Sequence, residues 1–473
     1  GPDSLARGLL AASADFATAY PRDGLDADLA WRAGRVAYAH GWHDEAAGIL
    51  VGMADRHPDD TRRVAALRTA GDARFRGGEF LAAEAIYGRT LDAARAAGQD
   101  TLAAAVAANL PLCRYRHAEQ LADADPERGP AAAATHFATV GRRWPDFAHA
   151  DLAWYRAGLG FESAGDDTAA VAAWTQLLRA HPQSGYARDG ALKIAARHES
   201  AGRPAAAADA YVAFSTTFAA DADAAGALLK AAELRAAAGD ARGAEALRSD
   251  FLRRFPGETA AVLAIHEERA ARALAALPPD ARPDDDPAIA AYLGAVAAHP
   301  DSAAAGLQSS IAYRRAEAAR GAYLQLRLTQ PLPAAIAAKQ AALENVLALY
   351  GACAAWGVTE DVRAAAYRTG EVIVHFGDAL LASERPAGLA GDDLAAYDEV
   401  LAEQSWPFAD RGETAWSELL EQSRGAGDDP GGWLARTRES LWPRVAERFL
   451  HMPEAEYPLV AAVPPPEPAR SRP

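Results

Sequence analysis

The chain has 473 residues, half of them hydrophobic and 24% charged, with a net charge of −16. That length exceeds the roughly 250–300 residues that one compact core supports, so several domains or an elongated repeat array are expected. The acidic balance argues against a nucleic-acid partner, since phosphate binding needs clustered Lys and Arg, and Lys occurs only at Lys193, Lys230 and Lys339. No apolar run approaches the ~18 residues of a membrane-crossing helix. The two cysteines, Cys113 and Cys353, have no metal-ligand spacing and read as buried thiols.

Residues 1–26 read as an N-terminal helix behind a Gly1-Pro2 start. That dipeptide looks like the scar of a cleaved tag, so a signal peptide or lipid anchor is expected to have been removed. From residue 27 a period of 37 runs along the chain. A Gly turn followed by small or acidic residues occurs at Gly41 and Gly78, and again at Gly165, Gly202 and Gly239. Pro145, Pro182 and Pro256 keep the same step. Between these markers stand Ala, Leu, Arg and Glu, which favour helix. Each period therefore predicts helix, turn, helix. Gly ends the first helix, Asp166 or Asp240 caps the second, and Pro closes it. Ala170, Ala207 and Ala244 allow close approach, with Trp174 and Tyr211 filling the space beside them.

The interval from Gly78 to Gly165 is too long by 13 residues. An insertion near 115–130 is expected there, with the loop at 123–130. A stretched seventh unit is expected over 259–300, split by the Pro- and Asp-rich 277–287. The repeat array thus spans 27–302. A helical extension fills 303–452, with helices near 303–328, 334–355, 359–384, 392–404, 409–424 and 431–450. Trp406, Trp416, Trp433 and Trp442 are expected to pack as an aromatic cap there. The Pro-rich 453–473 is expected to be extended or disordered.

The stretch 151–182 resembles a tetratricopeptide repeat. Trp154, Gly158, Phe161, Ala170, Trp174 and Pro182 stand at that family's offsets. The resemblance implies an all-α, right-handed α-solenoid of about seven helix–turn–helix units with a helical C-terminal extension. It also implies a groove lined by the first helices. The groove positions are Trp31, Arg35, Arg68, Asp72, Leu152, Tyr155, Leu159, Glu162 and Glu199. The family's chaperone clamp uses Lys and Asn at its fifth and ninth positions. Here those positions hold Trp31 and Arg35, Arg68 and Asp72, Tyr155 and Leu159, and Leu192 and Ala196, so that clamp is not expected.

The residue types that could carry chemistry stand in patterns that favour structural roles. His40 and His43 flank Trp42 without a third ligand, and His266-Glu267 lacks a returning His. The arginine pairs in "GRRWP" and "FLRRFP" suit helix C-termini. Glu162 and Glu199 stand one period apart, a spacing that stacking could convert into a carboxylate pair of glycosidase type. Nothing in the sequence raises one of their pKa values, and neither a cofactor nor a metal is expected. Residues 389–430 carry eleven acids, including Asp392, Asp393, Asp398, Glu399 and Glu403, against Arg411 and Arg424. This acidic patch reads first as a solvated face, then as a docking surface for a basic partner.

The stretch 367–424 is similar to the tails of envelope-associated repeat proteins of myxobacteria and related bacteria, some in gliding-motility or TonB/Tol-type complexes. That similarity implies a periplasmic or outer-membrane-associated scaffold. Its partners would be proteins or peptides, including outer- or inner-membrane complex subunits. The rivals are a peptidoglycan-acting enzyme on a helical scaffold and a cytoplasmic adaptor.

Overall fold

The structure is a computed structural model that describes residues 2–450 except 22, 279–280, 301–303 and 426. The expected extended tail at 453–473 lies outside the described residues. Every regular element among the described residues is helical, and within each of two units the helices stack in α-solenoid fashion as helix–turn–helix pairs. No described helix is long and apolar enough to cross a membrane. The chain divides into two compact units, Gly1–Phe255 and Pro256–Pro473.

In the first unit, α1 (Pro2–Ala19) packs on α2 (Gly24–Ala39), and hairpins follow in order. They are α2 with α3 (His43–Arg56), α4 (Arg63–Arg76) with α5 (Phe80–Ala96), and, past α6 (Asp100–Ala107), α7 (Asn109–Ala124) with α8 (Gly129–Arg143). Then come α9 (Ala150–Ser163) with α10 (Asp167–Ala180), α11 (Ala187–Ser200) with α12 (Pro204–Thr217), and α13 (Ala224–Ala237) with α14 (Ala241–Arg254).

The repeated glycines explain why the hairpins form. Gly41, Gly78, Gly165, Gly202 and Gly239 all sit at φ between +66° and +83°, a region that a Cβ disfavours. Each lets the following N–H fold back on the first helix, as where Asp166 N donates to Phe161 O at 2.9 Å. Asp166 and Asp240 then accept from the N–H groups of Ala169 and Gly243. A second recurring device sets the helix spacing. Gly34 lies under Leu50, Gly71 under Tyr87 and Gly158 under Trp174, always sixteen residues on. Ala170, Ala207 and Ala244 are buried as expected.

The long interval is not filled as the spacing predicts. Residues 115–124 belong to α7 and 129–130 to α8, so only four residues of the expected loop are non-helical. The extra length goes into a longer α5 and the additional short helix α6. The turn between them has its own left-handed glycine, Gly98 at φ +68°. Ala-rich "TLAAAVA" is a better helix former than a loop.

In the second unit, α15 (Thr259–Ala276) packs on α16 (Pro287–Ala298), joined through a short 3-10 turn, Pro283–Asp285. These two helices, read from sequence as the seventh repeat, share a core with α17 (Ala305–Gln325) through Leu263, Tyr292 and Ile311. Next come α18 (Leu332–Ala354), α19 (Thr359–Leu381), α20 (Asp392–Gln422) and α21 (Trp433–Leu450). Helix α20 is continuous where two helices were expected. Pro407 is exposed and costs one backbone hydrogen bond on the solvent side. Close packing on α19 offsets that cost: Gly370 lies under Trp416, Gly377 against Ser405 and Phe408, and Gly412 against Val374.

The expected aromatic cap forms only in part. Trp416 is buried and donates to Tyr367 O at 2.9 Å, and Trp433 is half-buried against Tyr313 and Tyr367. Trp406 and Trp442 are 60% and 73% exposed. Cys113 and Cys353 are free, buried thiols, and burial pushes Cys113 up to about 12.

Candidate protein-docking face

On α9, Leu152, Tyr155, Leu159 and Glu162 follow helical spacing along one face, and all four are half-buried. Tyr155 donates its hydroxyl to Asp189 of α11 at 2.5 Å and stacks on Tyr186. Burial, reinforced by that carboxylate, raises the Tyr155 hydroxyl well above its ordinary range. It therefore stays a neutral donor.

Charge pairs continue this face from one first helix to the next. Arg156 of α9 reaches Glu119 of α7 at 3.0 Å. Glu162 faces Lys193 and Arg197 of α11, each at 3.4 Å. Glu199 of α11 faces Lys230 of α13 at 3.0 Å and accepts from Tyr211 at 3.2 Å. The ammonium of Lys230 is the main reason the Glu199 carboxyl lies below its usual range. Glu162 and Glu199 thus meet cations of the following unit rather than each other, which removes the basis for a proton-sharing carboxylate pair. Pairs this exposed are worth about 0–1 kcal/mol each. Their effect is to fix side-chain positions along the face.

The other groove positions are more dispersed. Trp31 is half-buried against the core of the first hairpin, with the exposed Arg35 over its ring at 5.6 Å. Arg68 is exposed, and Asp72 accepts the Tyr87 hydroxyl at 2.5 Å. The sequence reading missed Glu119, Arg156, Asp189, Lys193, Arg197 and Lys230 as members of the face. Part of the signal was present, since Lys193 and Lys230 stand one period apart, as do Glu162 and Glu199.

In the second unit, Asp392 and Asp393 occupy the exposed first turn of α20, where acids suit the helix N-terminus. Asp398 pairs with Arg385 at 2.7 Å, and Glu399 and Glu403 are exposed. Another acid of that stretch, Asp429, acts locally, where its carboxylate accepts from the N–H groups of Trp433, Leu434 and Ala435. His40 stacks on Trp42 and lies 3.2 Å from Asp3. Among the described residues, no three His, Cys, Asp or Glu side chains come together as metal ligands.

No protein-family model matches the chain, and no curated protein does. Among similar solved structures is the C-terminal part of a TPR repeat-containing protein from Cytophaga hutchinsonii, at 14% identity, covering 55% of this chain and 96% of that one, with a TM-score of 0.22. The TPR2AB domain of yeast Sti1 in its pHSP90 complex matches at 16% identity over 74% of this chain and 98% of that one, with a TM-score of 0.17. A circular tandem repeat protein of novel repeat topology matches at 12% identity over 94% and 83%, with a TM-score of 0.19. The fold assignment rests on the chain's own helices and contacts.

Proposed function

We propose that the chain is a non-catalytic protein–protein interaction scaffold whose first-helix face holds a partner segment. The observation that carries this reading is the bridged row from Glu119 and Arg156 through Tyr155–Asp189 and Glu162–Lys193 to Glu199–Lys230. Half-buried Leu152 and Leu159 stand within it. Such a row offers preorganised polar contacts beside apolar footing, the usual make-up of a peptide- or helix-binding surface. The exposed acids of α20 are a second contact region for a basic partner. The finer reading, a periplasmic component of a bacterial motility, transport or TonB/Tol-type complex, rests on the resemblance of 367–424.

The test places a photo-cross-linking residue at Leu159, with Asp59 as control, in the organism of origin. A discrete protein adduct at Leu159 and none at Asp59 is the expected result. No discrete adduct in any cell fraction would overturn the scaffold reading. An adduct confined to the cytosolic fraction would overturn the envelope assignment alone.

A further inference from the structure

A different face of the first unit, formed by second helices, carries a pair of related cavities. The larger, about 630 Å³, opens between α8 and α10 over a floor of Trp154 and Phe161. Its charged lining consists of Arg142 and Arg179, and no carboxylate borders it. Both arginines are exposed and neither is in an ion pair among the described residues. Arg179 donates to Gln176 at 2.8 Å, which occupies that amide oxygen.

The chain's other clustered arginines are used differently. Arg143 lies over Trp144 and 3.9 Å from Glu84, while Arg253 and Arg254 both pair with Asp250. Arg142 has no partner among the described residues.

Trp154 adds a polar group to this cavity. It is 8% exposed, with its indole over Gly141. Two other tryptophans sit over a glycine in the same way, and each donates its N–H to the carbonyl three residues before that glycine. Trp174, over Gly158, reaches Tyr155 O at 3.3 Å. Trp416, over Gly370, reaches Tyr367 O at 2.9 Å. The Trp154 N–H has no such partner among the described residues, although Ala138 and Gly141 both line the cavity. The cavity therefore presents two guanidinium groups and an unused indole donor above an apolar floor. That chemistry suits a carboxylate attached to an apolar group.

The groove recurs one period on, with changed polarity. Gly141, Trp154 and Gln176 become Leu178, Ala191 and Ala213. These line a cavity of about 190 Å³ together with Phe214 and Phe218, and no charged residue borders it. Both grooves border α10, and a helix with its side chains is about 10–12 Å across, a distance an extended peptide covers in about three residues.

We propose that these two grooves form one docking site for an extended, acidic partner segment. A carboxylate enters between Arg142 and Arg179, and an apolar side chain about three residues away enters the groove at Phe214. The competing explanation is that Ala-rich second helices leave shallow gaps that water fills.

Panning a random dodecapeptide library on the full chain separates the two. Enriched peptides are synthesised with a fluorophore and measured by anisotropy. The expected peptides carry Asp or Glu about three residues from Leu, Ile or Phe. Their affinity falls by about tenfold or more in Arg142→Glu/Arg179→Glu and in Ala213→Glu, while Arg142→Lys/Arg179→Lys retains most of it. All of these positions are exposed, and unchanged circular-dichroism melts confirm folding. The proposal is overturned if no sequence is enriched, or if the enriched peptides bind the charge-reversed chain equally well. It is also overturned if their binding is lost only with Leu159→Glu on the first-helix face, a result that would leave the scaffold reading standing.

Discussion

Adding one methyl group at Gly158 tests the hairpin packing directly. A Cβ there would lie 2.2 Å from Trp174 Nε1, 2.4 Å from Cε2 and 2.6 Å from Cδ1. Comfortable carbon contacts need about 3.5–4.0 Å, so the indole would have to move by about an ångström or more. Trp174 is fully buried, so that shift has to be taken up inside the core. Overpacking of this kind costs about 1–3 kcal/mol. Losing the Trp174–Tyr155 hydrogen bond adds about 0.5–1.5 kcal/mol. Opposing both, Gly to Ala inside a helix gains about 1 kcal/mol. Gly158→Ala is therefore expected to destabilise by about 0.5–3.5 kcal/mol net. The control is Gly226→Ala on α13, where a Cβ meets nothing within 4 Å and the helix-propensity gain stands alone. Urea unfolding followed by circular dichroism, with hydrogen exchange across 150–180, reads both variants. If Gly158→Ala raises the midpoint as Gly226→Ala does, the close approach of α9 and α10 is not what the hairpin depends on.

Asp26 is fully buried and accepts from Arg56 at 2.7 and 3.1 Å and from His57 at 2.7 Å. Burial alone would raise its carboxyl, but these hydrogen bonds and charges outweigh it and hold the group below its usual range. Its contribution is present above the unfolded-state pKa and is lost as pH falls through the lower folded value. Asp26→Ala, which leaves the Arg56 guanidinium and the His57 N–H without their acceptor, should cost about 3–5 kcal/mol in urea melts at neutral pH; a cost near zero would show that the pair is only superficial. His117 and His136 meet edge to face at 4.6 Å on α7 and α8, beside Arg114 and Glu84. Desolvation leads the causes that lower both, followed by Arg114 for His117, and by His117 and then Arg114 for His136, with Glu84 opposing. The folded state thus favours neutral rings, so stability should be full above the unfolded-state pKa of about 6.5 and decline as pH falls below it. His117→Gln/His136→Gln should flatten that decline, and an unchanged acid limb in melting scans would refute the assignment.

The period, the turns and the hairpin partners were legible in the sequence because local backbone chemistry sets them. A left-handed glycine, an acidic cap and a closing proline each act within a few residues, so their spacing survives in the linear text. The additional helix α6 escaped because its turn at Gly98 falls outside the 37-residue step, although "AAGQD" has the same kind of glycine stop. The continuity of α20 through Pro407 was hidden for another reason: it depends on Gly370, Gly377 and Gly412 letting two helices approach, a tertiary effect that outweighs local propensity. On the candidate docking face, the shared helix face of Leu152, Tyr155 and Leu159 was readable from helical offset. Their cationic partners were not, because Glu162 finds Lys193 only once the hairpins are stacked.

Helix α6 also bears on how the first unit would respond to a mechanical load. On α7, Cys113 faces a core shared with Tyr87 and Leu91, whereas Tyr115 faces one shared with Phe137 and Trp154. A stack in which each hairpin holds only its neighbours behaves like a chain of coupled springs. A break in its period is a change of spring, so torsion applied at one end should concentrate strain around α6 and α7, and a partner clamping both sides of that joint would stiffen the stack.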